Sequence, residues 1–409
     1  MSRPVLPPRP RWGYRVTLFQ VRQPAFWFFV VFFILTGLLT LLEQGTFLVL
    51  APAGWVLSWF LLALYAVPVF LLIYFLDLYE REPLSLVFGA FLWGAVVATA
   101  LAGIANAGWG LVVLDAGGPG FASRWAPALT APFVEEILKG AGVVMTYLIA
   151  RREVDDVMDG FVYGAMVGLG FAVVEDVFYF VARFGGDPGA VILGFFVRVV
   201  ASGLYSHILW TGLTGAGIGY FVSRYHAASR AKRLLVAGGT FLAGVFGHFL
   251  WNSPLLDLFP RDLSSPGALL QVLGAAAVKG LPLLGVVALM VVLARRREHR
   301  WLGVALSTEV GREGILEEEM AALSTPRKRR RARREMALRA GAAAASMFSR
   351  LQKEQINLAM VATRVAREDH PDLLNQRRYC RALREAVVLA MAGPQPPPPP
   401  LPTPSPSTG

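Results

Sequence analysis

Ala131-Pro-Phe-Val-Glu-Glu-Ile-Leu-Lys-Gly140 places two adjacent carboxylates and an ammonium inside an apolar stretch, Pro127 to Ala150, that is long enough to cross a bilayer. Each charge near the middle of a membrane helix costs roughly 2.5 to 3.5 kcal/mol on insertion scales, so ionisable groups there imply a function and a partner. Partners recur downstream. Phe171-Ala-Val-Val-Glu175, Ser206-His207 and His248-Phe-Leu-Trp-Asn252 each bring an acid, an imidazole or an amide into another apolar stretch. Together they predict a catalytic site built within lipid.

The rest of the chain fits that setting. It is 55% hydrophobic and 16% charged, which excludes an ordinary soluble domain, and the apolar residues are concentrated before position 295. The first 23 residues hold five Arg and four Pro, with no small-residue cleavage site after a short apolar core, so the first span is expected to stay in the mature protein. The single cysteine, Cys380, excludes an internal disulfide and a cysteine-based metal cluster. Of the basic residues behind the net charge of +11, fourteen lie between 295 and 350. This basicity reads as a tail beside a membrane and not as a nucleic-acid footprint.

A span needs about 20 mostly apolar residues. By that measure the expected fold is all-α, a polytopic membrane helix bundle of eight spans: Phe26 to Leu42, Trp55 to Leu76, Leu86 to Ala107, Pro127 to Ala150, Met158 to Ala182, Val191 to Val222, Leu234 to Trp251 and Leu273 to Ala294. The sixth, at 32 residues with Arg198 and several Gly inside, exceeds one crossing and suggests a broken helix followed by a full span from near Gly203. The domains are then 1–24, a cytoplasmic N-terminal segment; 25–295, the transmembrane core; 296–392, a basic helical cytoplasmic tail; and 393–409, a Pro-rich disordered end. Within the tail, helix formers run from Arg327 to Arg367 and, after Pro371, to Met391, a solvated appendage against anionic headgroups.

Lys and Arg in the short loops set the orientation. With the N-terminus inside, inner segments hold Arg3, Arg9, Arg11, Arg15, Arg22, Arg81, Arg151, Arg152, Arg224, Arg230, Lys232 and Arg233, against Arg124, Arg183 and Arg261 outside. Both termini are therefore expected in the cytoplasm of a plasma-membrane protein. Glu135 then lies about eight residues, or ~12 Å, inside the outer end of its span, and Glu175 about seven from the outer end of the next. His207 and His248 fall in the same outer half.

On a helix, positions four apart share a face. Glu135 stacks with Lys139, while Glu136 is turned about 100° towards another neighbour; His248 pairs with Asn252. A carboxylate in low dielectric beside an ammonium is suited to take a proton from water, so Glu135 or Glu136 is the expected base. His248 and Asn252 can donate to a developing oxyanion. The same residues also suit a metal: His207 and His248 with one of Glu135, Glu136 or Glu175, Glu175 being the oxygen assigned here, would hold a divalent ion such as zinc. No His-Glu-x-x-His is present, so glutamate-only and metal-assisted hydrolysis both stay open. In either, Glu175 and His207 orient the water or bind the ion.

Here the chain resembles the PrsW family of intramembrane proteases, within the wider set that includes the CAAX-processing and bacteriocin-processing membrane proteases. The matching stretches, in order, are Asp77-Leu-Tyr-Glu-Arg-Glu-Pro83, Glu135-Glu-Ile-Leu-Lys139, Asp159-Gly-Phe-Val-Tyr-Gly164, Gly170-Phe-Ala-Val-Val-Glu175, Ser206-His207 and His248-Phe-Leu-Trp-Asn252, over roughly residues 25 to 295. Lys139 stands one position before the Arg of the wider set, and Glu175 stands in place of its His, as in the PrsW branch. The resemblance implies proteolysis of a membrane-anchored protein, such as an anti-sigma factor cut on its outer side.

Other polar residues read as structural. Asp176 is a boundary group, Arg198 and Lys279 are partners of Asp176 or snorkelling side chains, and Asp77, Glu80 and Glu82 form an inner loop pairing with Arg81 or the tail. His226, His299 and His370 receive no role. The rival to a protease is a proton-coupled transporter or a scaffold using the same acids. A carrier favours broken helices meeting at the midplane in two related halves, whereas these groups sit off-centre. A protease requires the four polar segments to meet around one pocket.

Overall fold

A computed structural model of the chain describes residues 17–76, 82–151, 153–200, 206–224, 228–255, 267–365 and 367–392. Arg3, Arg9, Arg11, Arg15, Asp77, Glu80, Arg81, Arg152, Gly203, His226, Arg261 and the Pro-rich end, which carry roles or boundaries in the reading above, lie outside them. The described residues form helices with no strand, and the chain divides into one unit over Arg15–Ala294 and another that begins again at Arg295.

In the first unit, α1 (Pro24–Leu50) and α2 (Pro52–Tyr74) are apolar on every side. Phe28, Leu35, Leu42 and Val49, seven residues apart, form an exposed stripe on α1, while Phe26, Phe29 and Phe47 face the bundle. An apolar helix with an exposed apolar stripe belongs in lipid.

The next run covers the third and fourth expected spans as one sequence of helix, Leu84–Ile149, 66 residues long. It comprises α3 (Leu84–Leu92), a π-helical segment (Trp93–Ala98) and α4 (Thr99–Ile149). Left straight, it would be ~99 Å long, about three times the hydrocarbon core. It breaks at Gly118, whose φ of 74° only glycine adopts freely. The two limbs fold back on each other: the Asn106 amide donates to Glu135, 29 residues later, at 3.0 Å.

At the centre of the unit is α5 (Val157–Phe178), nearly all of it buried. Asp156 caps its N-terminus and Asp159 accepts from the Asp155 and Asp156 backbone amides, a capping box that fixes where the helix starts. The Asp159-Gly-Phe-Val-Tyr-Gly164 stretch is thus a cap and packing motif. Tyr163 also donates to Glu82 at 2.5 Å.

The sixth expected span is broken. Its first part is α6 (Pro188–Phe195) with a π-helical end (Phe196–Val200), too short to cross, and its second is α7 (His207–Ser223). Against α5, α7 packs backbone to backbone: a Cβ on Gly160, Gly164 or Gly168 would strike the carbonyl of Gly215, Thr211 or His207 respectively. Such small-residue stripes let membrane helices approach where no hydrophobic force draws them together. Then α8 (Arg230–Asn252) lies against α7 and α4, and α9 (Ala268–Glu309) covers the eighth expected span. Lys279 donates to the carbonyls of Trp251 and Ser253 at the end of α8, in place of the Asp176 pairing expected for it.

In the second unit, α10 (Glu317–Leu323), α11 (Pro326–Arg364) and α12 (Pro371–Met391) follow the boundaries that Pro326 and Pro371 set. Leu358, Leu383 and Tyr379 are buried there. Arg377 and Arg384 each make a two-pronged pair, with Glu309 and Glu319.

Candidate active site

Four helices of the first unit bring their polar residues to one point. From the second limb of α4 come Glu135, Glu136 and Lys139, at 2%, 0% and 0% exposure. From α5 come Glu175 and Asp176, from the first residue of α7 comes His207, and from α8 comes His248.

Lys139 is the hub. Its ammonium lies 2.6 Å from Glu136 Oε1 and 3.5 Å from Glu135 Oε2, donates to His207 Nδ1 at 2.8 Å, and sits 4.4 Å above the Phe171 ring. Glu136 is held at both oxygens, by Lys139 and His248 Nδ1 (3.1 Å) on Oε1 and by the Thr211 hydroxyl (3.0 Å) on Oε2. Glu175 Oε2 receives His207 Nε2 at 3.0 Å and the Arg198 guanidinium at 2.6 Å. Arg198 also donates to Asp176 at 2.5 Å, the pairing expected from sequence, and lies over the Tyr179 ring.

These contacts fix the imidazole tautomers, because a carboxylate only accepts and an ammonium only donates. His248 donates from Nδ1 to Glu136 and keeps its lone pair on Nε2. His207 donates from Nε2 to Glu175 and accepts from the Lys139 ammonium on Nδ1, so an ion at Nδ1 would take the place of that ammonium. Both lone-pair nitrogens face the same atom: Glu135 Oε2 is 3.8 Å from His248 Nε2 and 3.9 Å from His207 Nδ1. That oxygen is buried and accepts no hydrogen bond among the described residues. Trp210 keeps the rings in place, stacked on His248 at 4.2 Å and edge-on to His207 at 4.9 Å.

The arrangement suits a divalent cation. Among the described residues, Glu135, His207 and His248 offer a carboxylate oxygen and two imidazole nitrogens within 4.8 Å of one another, the donor set of a catalytic zinc site. A carboxylate behind each imidazole, Glu136 for His248 and Glu175 for His207, supplies the outer support such ligands need. Among the described residues the connected network places four acids (Glu135, Glu136, Glu175, Asp176) around two bases (Lys139, Arg198). The grouping differs from the sequence expectation, which put Glu175 with the histidines. Glu175 is bonded to the other nitrogen of His207 and already paired with Arg198.

The cluster borders a cavity of about 880 Å³ that also touches α1. Asn252 lines it, but its amide donates to the Pro127 carbonyl at 3.3 Å and not to the imidazoles' neighbours. Three participants escaped the sequence reading: Asn106, Thr211 and Trp210. Asn106 carried a signal, being an amide inside an apolar span; Thr211 and Trp210 are ordinary membrane-helix residues and carried none.

The family model described as PrsW family intramembrane metalloprotease matches residues 82–293, which contain every member of this cluster. The chain belongs to the PrsW family. It is 37% identical over 186 residues to Protease PrsW of Geobacillus kaustophilus (strain HTA426), covering 46% of this chain and 68% of that protein. Over 110 residues it is 33% identical to Protease PrsW of Bacillus subtilis (strain 168), 27% of this chain and 47% of the relative. No solved structure matches it. This PrsW-family chain is accordingly a multi-pass membrane protein and an intramembrane peptidase.

Proposed function

We propose that the chain is an eight-crossing endopeptidase of the plasma membrane, both termini cytoplasmic, that hydrolyses a membrane-anchored protein such as an anti-sigma factor near its outer face. The observation that carries the site is the buried Glu135 Oε2, which accepts no hydrogen bond among the described residues and lies beside His207 Nδ1 and His248 Nε2. Those three atoms would hold a zinc-like ion with the Lys139 ammonium withdrawn from His207 Nδ1 onto Glu136, and such an ion when bound polarises a carbonyl and makes water a stronger acid. Glu136, through Thr211 and Lys139, keeps His248 oriented, and Glu175 does the same for His207.

Glu175 has a second task. Its side chain is 16% exposed, against 3% for Glu135 and 0% for Glu136, and it lines the cavity. Its Oε1 makes no hydrogen bond among the described residues and is the atom that takes the proton of the attacking water and returns it to the leaving amine. The cavity has the size of a ligand site and receives an unwound segment of substrate. Asn252 braces α8 against α4 at its rim.

The test is detergent-purified protein with Glu135→Gln or His248→Ala, incubated with a membrane-anchored substrate cut by the wild type, with zinc measured in parallel. Loss of both cleavage and bound zinc is expected. Unchanged cleavage by both variants overturns the assignment.

A further inference from the structure

We propose that Asn106 is the positioning residue that decides which oxygen of Glu135 faces the imidazoles. The inference rests on the reading of Glu135 given above.

Asn106 belongs to the first limb of α4, across the Gly118 break from Glu135, and its amide reaches back to Glu135 Oε1 at 3.0 Å. Because an ionised carboxylate only accepts, the NH₂ end must be the one that faces it. The last torsion of a glutamate is broad and nearly two-fold, so a carboxylate held at neither oxygen exchanges them freely. Tying Oε1 leaves Oε2 as the atom that meets His207 Nδ1 and His248 Nε2.

The other members of the cluster do not depend on a single bond. Glu136 is held at both oxygens, and each imidazole by a carboxylate and the Trp210 ring. Among the described residues Glu135 accepts one hydrogen bond, from Asn106; its closest other neighbour is the Lys139 ammonium, 3.5 Å from Oε2. The remaining end of Asn106 is not satisfied: Oδ1 is buried without a hydrogen-bond partner among the described residues. An amide placed for packing would have both ends paired. This one is placed for its donor.

Groups that orient metal ligands from behind typically change metal affinity or activity about 10- to 100-fold when removed. The experiment uses the full chain in detergent, comparing wild type, Asn106→Leu, Asn106→Gln and Glu135→Gln. Zinc affinity is read by competition with a chromophoric chelator, kcat and KM on a membrane-anchored peptide that the wild type cleaves, and unfolding temperature alongside. Asn106→Leu is expected to weaken zinc binding and lower kcat by about 10- to 100-fold, with KM and unfolding temperature near those of the wild type. Asn106→Gln, which keeps an NH₂ donor, recovers part of both.

Wild-type zinc affinity and kcat in Asn106→Leu, with both lost in Glu135→Gln, overturn the role of Asn106 alone. Equal losses in the Leu and Gln variants together with a lowered unfolding temperature also overturn it, in favour of packing. Wild-type behaviour of Glu135→Gln overturns this inference and the reading beneath it.

Discussion

Gly168 on α5 lies directly against the backbone carbonyl of His207 on α7, with no room for a side chain between them. The first residue of α7, which carries one of the two imidazoles, is thus placed by a backbone contact. Gly160 and Gly164 extend the same seam down the pair of helices.

Enlarging Gly168 should therefore act on chemistry before it acts on folding. A methyl there must push the carbonyl of His207 away, and displacements of about 1 Å in a reacting group cost on the order of 100-fold in rate. Gly168→Ala is expected to lower kcat by that order while the protein still inserts and purifies. Gly168→Leu should also lower the unfolding temperature. Steady-state kinetics with a thermal melt in detergent checks both.

The two adjacent glutamates should separate cleanly. Glu136 is paired on both oxygens and buried with Lys139, so Glu136→Gln strips a buried ammonium of its nearest partner and is expected to destabilise by about 3 to 5 kcal/mol. Glu135 Oε2 has no hydrogen bond to lose. Compared as zinc-stripped proteins, Glu135→Gln should unfold near the wild-type temperature, and with zinc supplied it should still abolish cleavage. Melts of the two variants side by side show whether the order holds.

Dialysis against a strong chelator should remove activity, and added zinc should restore it. A further effect is expected: stripped protein unfolds at lower temperature, because a ligand that binds only the folded state stabilises it by mass action. Equal melting of stripped and reloaded protein would count against a resident cation.

Asn252→Ala should be mild. An oxyanion donor typically costs about 100- to 1,000-fold when removed, but the Asn252 amide is spent on the Pro127 carbonyl. A loss of about 10-fold or less, through a loosened α8, is expected in kcat/KM; a loss of 1,000-fold would return Asn252 to the oxyanion role its spacing from His248 suggests.

Arg198 anchors Glu175 and Asp176 at once. Arg198→Met leaves both acids buried without that partner, so activity should fall at least 100-fold with lowered stability, the size expected for breaking a buried charge pair. Arg198→Lys, a point charge without the fork, should recover stability more than activity. Comparing the two melts with the two rates checks the split.

By itself the sequence determined the membrane setting, the all-helical class and the residues worth testing. Hydropathy over 20-residue windows is a local quantity, and a charge in such a window is conspicuous because its cost is local too. For the same reason Glu135, Glu136, Lys139, Glu175, His207 and His248 stood out without a structure. Span six also showed its break, since 32 residues cannot cross once.

Only the tertiary structure decided which partner each group takes. Spacing of Glu135 and Glu136 on α4 does not reveal that Thr211 and His248 saturate one while Asn106 ties a single oxygen of the other. Nor does it reveal that Glu175 belongs to Nε2 of His207 and Glu135 to the side of Nδ1. Hydrogen bonds between helices depend on rotations about axes that glycine contacts and a break at Gly118 set, and those are properties of the packed bundle, not of any one span.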